Sequence, residues 1–405
     1  MKLRQFFSFK PLPRIAILLW LTLLSMAARL SIFVRRRAFG DYSSIDRMAL
    51  LEIILMFIGL VLVMSSQCPL KVLQDGKRSG LSIYAAAIIL GIMSALWSPL
   101  IAFSAYRALS MFTMFMAVMV AFSYEENFEL AEWRFLQIAA LVMLMQMIQL
   151  TGFSPRIIYA PMVRNNTLGT SAVMIACYCL PEAFALPAGG KRRKMLLIVG
   201  IIAFLCVTLG VSSGSNVALL CGLLVAVLLL GRPELIALLL FLGLLLWLSS
   251  ISTEAIQARI FPNKSEEQIR TMTGRTMLWS MYWERIQDHL LFGEGYAATP
   301  RVADFYTTNT HNSFISYLSG TGFVGLAIYL LGLGKNLALG ARLALRKTPG
   351  AVGATAGMVG GLTNSMTKAF LGEGYFPETL IFFCLFALIS LQIGNNGKQQ
   401  QLPLY

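Results

Sequence analysis

The chain has 405 residues, 57% of them hydrophobic and only 13% charged, with a mean hydropathy of +0.70. That composition excludes an ordinary soluble protein, and apolar runs near the ~20 residues a helix needs to cross a bilayer recur throughout. A net charge of +14 fits a positive-inside bias and anionic lipid headgroups. No basic stretch is interleaved with stacking aromatics, so the bilayer is an expected partner and nucleic acid is not.

The N-terminus is basic and then apolar. The run 12–34 is too long for a signal-peptide core and has no clear small-residue cleavage site, so it reads as a first span. Further runs follow at 48–66, 81–97, 99–123, 135–150, 168–188, 195–211, 216–231, 235–251, 313–334, 351–367 and 377–394. The run 135–150 is short, 151–167 behind it is able to dip back into the membrane, and 351–367 is Gly-rich and polar near Asn364. The reading is an all-α polytopic membrane protein of about twelve transmembrane helices. The runs are continuous rather than alternating, which excludes a β-barrel. The organisation is a transmembrane bundle over 1–251, one large polar loop over 252–311 containing an interfacial helix, C-terminal transmembrane helices over 312–394, and a polar tail over 395–405. No convincing internal repeat appears, which counts against a transporter.

Basic residues set the orientation. With the N-terminus inside, inner segments hold most of them, Arg192, Arg193, Lys194, Arg342, Arg346 and Lys347 included, whereas short outer segments hold few, such as Arg156, Arg164 and Lys368. Parity then puts the large loop outside. One local conflict runs against this. Arg35, Arg36 and Arg37 would lie outside, and Glu125, Glu126, Glu129 and Glu132 inside. The arginine triplet therefore marks headgroup contact, an early error in the span count, or a site for an anionic lipid-linked substrate.

The six cysteines, Cys68, Cys177, Cys179, Cys206, Cys221 and Cys384, lie in or beside apolar runs. They read as small core residues, without disulfide or zinc spacing, and no metal site or cofactor is expected. Both histidines belong to the large loop: His289 inside it, His311 where the chain re-enters the membrane.

Within the loop, Thr273–Phe292 has helical periodicity, with Arg275, Trp279, Tyr282, Ile286 and Leu290 on one stripe and Thr273 able to cap the start. Trp279, Tyr282 and Trp283 suit a membrane interface. The plain alternative is a plug helix whose Arg275 snorkels to phosphate. His289 reads as an interfacial or helix-terminus residue. Gly293 to Gly295 break the helix, and a polar stretch leads to His311 and Asn312. A lone histidine at a helix start is more often a cap or an interfacial residue than a catalyst. The cluster Gly320, Gly322 and Gly325 follows no strand, so it reads as a close helix-packing surface rather than a dinucleotide fingerprint.

Taken together, Gly274, Arg275 and Trp279, the Phe292–Gly295 turn, His311–Asn312 and the glycines from Gly320 to Gly325 resemble the signature region of the bacterial O-antigen ligase/polymerase superfamily. The motif match covers about residues 273 to 325. Looser similarity extends to Trp97-Ser-Pro99 with Tyr106 and Arg107, and to Arg164 before the sixth span. Two features depart from the pattern: Ser213-Gly-Ser-Asn216 stands where the family often has a Ser-Arg pair, and Leu290 and Leu291 stand where a proline is common.

The resemblance implies an inner-membrane glycosyltransferase whose large loop and active site face the periplasm. It would move a glycan from an undecaprenyl-diphosphate carrier to an acceptor hydroxyl, on lipid A-core for a ligase or on a second lipid-linked glycan for a polymerase. Arginine forks suit a leaving diphosphate, with Arg275 and Arg164 first and Arg36 and Arg107 behind them. His311 is the implied base, Asn312 would position the sugar or orient the imidazole, and no metal is required. A transporter or flippase of lipid-linked glycans is the alternative from another class, and a noncatalytic envelope scaffold a third.

Overall fold

A computed structural model describes residues 13–31, 47–66, 69–75, 79–151, 166–209, 212–231, 275–302, 310–372, 374 and 376–399. The helices are α1 (Arg14–Ser31), α2 (Arg47–Ser65), α3 (Pro69–Asp75), α4 (Leu81–Met93), α5 (Ile101–Ser123), α6 (Phe128–Thr151), α7 (Asn166–Ala185), α8 (Lys191–Leu209) and α9 (Ser213–Leu230). After them come α10 (Arg275–Asp288), the single turn α11 (Thr299–Val302), α12 (Ser313–Leu345), α13 (Ala351–Ser365) and α14 (Pro377–Gln399). No strand occurs among the described residues. Every predicted apolar run that falls on described residues is helical, while the run 235–251, Arg36, Arg164 and Gly274 lie outside them. By length and composition, 101–123, 167–185, 213–230 and 313–345 can cross a membrane, and the chain is an all-α membrane protein.

Small residues set how closely the helices approach. On α13, Gly353 faces the Tyr178 carbonyl of α7 and Gly357 the Met174 carbonyl at 2.8 Å from where a β-carbon would stand, so α13 is buried against α7 and α9. This explains how the Gly-rich run 351–367 forms a helix despite its weak apolar signal. Glu182 of α7 caps that helix by accepting the Gly350 and Gly353 amides, each at 2.9 Å. Two of the four glutamates around residue 130 have cationic partners. Glu132 accepts from Arg192 (2.6 Å and 2.9 Å) and from the Tyr178 hydroxyl (2.6 Å), and Glu125 pairs with Arg134 at 3.2 Å. The charges of Glu125 and Glu132 are thus balanced within the protein.

Gly320 and Gly322 of α12 lie against residues 291–297 rather than against a neighbouring helix. Gly322 adopts φ 67°, ψ −171°, and α12 is broken there. Around the break, four backbone groups in the membrane-spanning part of the chain bond to residues 290–295. Glu294 and Gly295 donate to the Ser319 and Gly320 carbonyls at 2.9 and 3.0 Å; Phe323 and Val324 donate to the Leu290 and Leu291 carbonyls at 2.9 and 3.2 Å. Irregular backbone survives at such depth only when protein covers it, and residues 293–300 are buried. The expected helix Thr273–Phe292 therefore ends at Asp288, because the following residues leave it to pair with α12. Its buried stripe is Leu278, Tyr282 and Ile286, packed on Leu318, and Leu290 does not belong to it.

Candidate functional site

The residues around His311 form a turn with little freedom. His311 has φ 54°. Asn312 next to it is the N-cap of α12: its Oδ1 accepts the Phe314 amide at 2.9 Å and the Ile315 amide at 3.2 Å. Asn312 was expected to position a sugar or orient the imidazole. The structure commits its carbonyl oxygen to the cap, because two orphan amides of the first helical turn face it. On the other side, the Trp279 indole donates to the Thr310 carbonyl at 3.0 Å. Arg275 stands four residues before Trp279, on the same face of α10. The one indole bond thus brings the Arg275 end of α10 to the His311 turn.

The electrostatics follow from this placement. Burial holds the His311 imidazole below the usual histidine range, and the positive charges of Arg275 and Lys368 push it the same way. Burial lowers Arg275 as well. His289, by contrast, is exposed at the end of α10, in keeping with its expected interfacial role.

Lys368 was read only as one of the few basic residues in outer loops. It follows α13, and its ammonium donates to Thr167 Oγ1 at 2.8 Å and pairs with the fully buried Glu378 at the start of α14. Its carbonyl accepts from Ser313 Oγ at 3.2 Å, and Ser316 Oγ donates to the Gly372 carbonyl at 2.9 Å. The loop from Lys368 is thereby stapled to the first turns of α12, beside His311. A sequence signal for this loop exists. The tetrapeptide Gly-Glu-Gly-Tyr occurs at 293–296 and again at 372–375, and Gly293, Gly295 and Gly372 all lie against the first three turns of α12.

Arg107 occupies the far end of the same loop. A β-carbon at Gly374 would stand 3.0 Å from its Nη1. The Arg107 and Arg301 guanidiniums lie 5.5 and 4.1 Å from the Phe103 ring centroid, so two cations share one aromatic residue. Arg301 was not anticipated. Near this cluster, Trp97 donates to the Gly293 carbonyl at 3.1 Å, and Ser94 Oγ accepts the Tyr296 amide at 2.9 Å. The early Trp97-Ser-Pro99 segment thus holds the loop that fills the break in α12.

Of the six residues predicted for the site, His311 and Arg275 come together, Asn312 shapes the turn between them and α12, and Arg107 stands with Arg301 beyond the loop. Arg36 and Arg164 fall outside the described residues. Residues 198–330 match a family model described as O-antigen ligase, a stretch that includes Arg275, the inserted loop and His311 but ends before Lys368. No curated protein matches the chain.

Proposed function

Because residues 198–330 match a family model described as O-antigen ligase, we propose that the chain is a member of the O-antigen ligase-related superfamily and transfers a glycan from an undecaprenyl-diphosphate carrier to an acceptor hydroxyl. In this reading about twelve spans cross the inner membrane, and the Arg275–His311 end of the bundle faces the periplasm. The acceptor is lipid A-core or a second lipid-linked glycan. The observation that carries the reading is the convergence of a half-buried histidine with Arg275 at the junction of loop and bundle. There a saccharide in water meets a prenyl tail in lipid.

The chemistry is a single displacement. The acceptor oxygen attacks the anomeric carbon, the bond from that carbon to the diphosphate oxygen breaks, and the acceptor proton passes to the His311 imidazole. Arg275 holds the departing diphosphate with its planar fork, with Arg164, Arg36 and Arg107 as further contacts. Arginines serve as the charge clamp, so the site works without metal. One displacement inverts the anomeric centre, and the linkage configuration of the product reads that directly.

The deciding experiment uses purified protein in nanodiscs, with lipid-linked donor, acceptor and no transmembrane gradient. Transfer is expected, and His311→Ala should abolish it by ~10²–10⁴-fold while donor binding persists. Movement of donor across a vesicle membrane with no transfer to acceptor would instead establish the transporter alternative.

A further inference from the structure

Lys368 lies beyond the stretch matched to the O-antigen ligase family, yet it is bound from every side to the elements that form the His311 site. Its ammonium reaches Thr167 on α7 and Glu378 on α14, whose side chain is 0% exposed. Its carbonyl receives Ser313 Oγ, which in turn accepts the Leu371 amide at 3.1 Å. Thr379 Oγ1 donates to the Phe370 carbonyl at 2.7 Å, anchoring the same loop to α14. A lone lysine in a surface loop would need none of this. A lysine pinned by a fully buried carboxylate has a fixed position and cannot retreat into solvent.

We propose that Lys368 is a positioning residue of the His311 site: held by Glu378 and Thr167, it fastens the loop on which the His311 turn rests and keeps a second cation facing the imidazole. The proposal rests on the glycosyltransferase reading for its purpose but not for its geometry. Among the described residues, Arg275 from α10 and Lys368 from the loop after α13 are the charged groups that act on His311, and both disfavour the imidazolium together with burial. The base is thus kept neutral and ready to accept a proton. Glu378 enters with the opposite sign, since it screens Lys368. Among the described residues no carboxylate pairs with Arg275, whereas Lys368 is held by Glu378.

The two histidines make a direct test possible. His289→Gln leaves a single imidazole, and in protein with isotopically labelled histidine its titration is followed by NMR in nanodiscs without any turnover. In that background Lys368→Met should move the His311 titration to higher pH, because a facing cation is gone. Glu378→Gln should move it to lower pH, because Lys368 loses its screen. Lys368→Arg should restore the parent value. Opposed shifts are what a merely structural role would not produce. An unchanged titration in inserted Lys368→Met protein overturns the proposal; if that variant does not insert, a titration unmoved in Glu378→Gln overturns it equally. Opposed shifts in a protein that transfers no glycan would sink the glycosyltransferase reading and leave the role of Lys368 standing.

Discussion

Replacing Gly322 with alanine tests whether the break in α12 is built into the protein. At φ 67°, ψ −171°, Gly322 occupies a region nearly reserved for glycine, and an alanine there costs about 1–3 kcal/mol in backbone strain. Its β-carbon would also fall on the Leu291 carbonyl, so the inserted segment must shift. The bonds from Phe323 to Leu290 and from Val324 to Leu291 are then lost, at ~1 kcal/mol each. The expected loss is about 3–5 kcal/mol. Gly334 on the same helix is the control, since no atom lies within 4 Å of its added β-carbon. Gly334→Ala should be neutral or stabilising by up to ~1 kcal/mol through helix propensity. Thermal unfolding of both variants in nanodiscs, read by the soluble monodisperse fraction, compares them directly. Displacement of 290–295 should also expose Glu294, which a cysteine placed there would report by labelling. If Gly322→Ala matches the parent in stability and labelling, α12 is able to run straight and the inserted loop has no structural role.

Three other outcomes are expected. Arg275→Ala should abolish transfer, and Arg275→Lys should leave it badly impaired, because an ammonium keeps the charge but loses the two-donor fork; the transfer assay reads both. Activity should fall with acid through the folded-state titration of His311, which burial, Arg275 and Lys368 hold below the ordinary 6.5, so the acid limb of the pH–rate profile should lie below that value. Reporters fused near residue 309 and near Arg192 should report opposite faces of the membrane, and a common face for both would mean an odd error in the span count between them.

Much of the architecture was legible from hydrophobic runs, because a membrane helix must satisfy its own backbone and therefore writes itself as a continuous apolar stretch. The site was legible in part. His311 is one of only two histidines, so composition drew attention to it, whereas Arg275 and Trp279 stood out through the resemblance of residues 273 to 325 to the family signature. The break at Gly322 was hidden, because a glycine reads the same whether it admits a neighbouring helix or an inserted loop. The capping role of Asn312 adds to the expected one of positioning a sugar or orienting the imidazole, because an asparagine one position before a helix is first of all a cap. Lys368 was missed for another reason. It stands 55 positions after Ser313, and only the tertiary hydrogen bond joins them. A single lysine in a short loop counts toward topology and nothing else until its partners Thr167 and Glu378 are known.

The polar contacts also bear on which helix ends share a face. With the N-terminus inside, parity assigns the starts of α5, α7, α9, α12 and α14 and the ends of α6 and α13 to the outer side. The observed bonds respect that division: Gln146 of α6 meets Ser171 of α7 at 3.0 Å, Asn364 of α13 meets Ser215 of α9 at 3.0 Å, and Lys368 meets Thr167. At the other end, Glu132 of α6 meets Arg192 of α8, and Glu182 of α7 caps α13. A missing or extra span among these helices would have forced contacts between ends of opposite parity. The start of α9 and the Arg275 end of α10 lie on the same side, near Asn364 and His311 respectively. An 18-residue helix is about 27 Å long, so α9 ends on the opposite face from Arg275. The Lys368–Thr167 pair at the start of α7 and the Glu182 cap at its end thus put the His311 site and the Glu132–Arg192 cluster at opposite ends of the bundle.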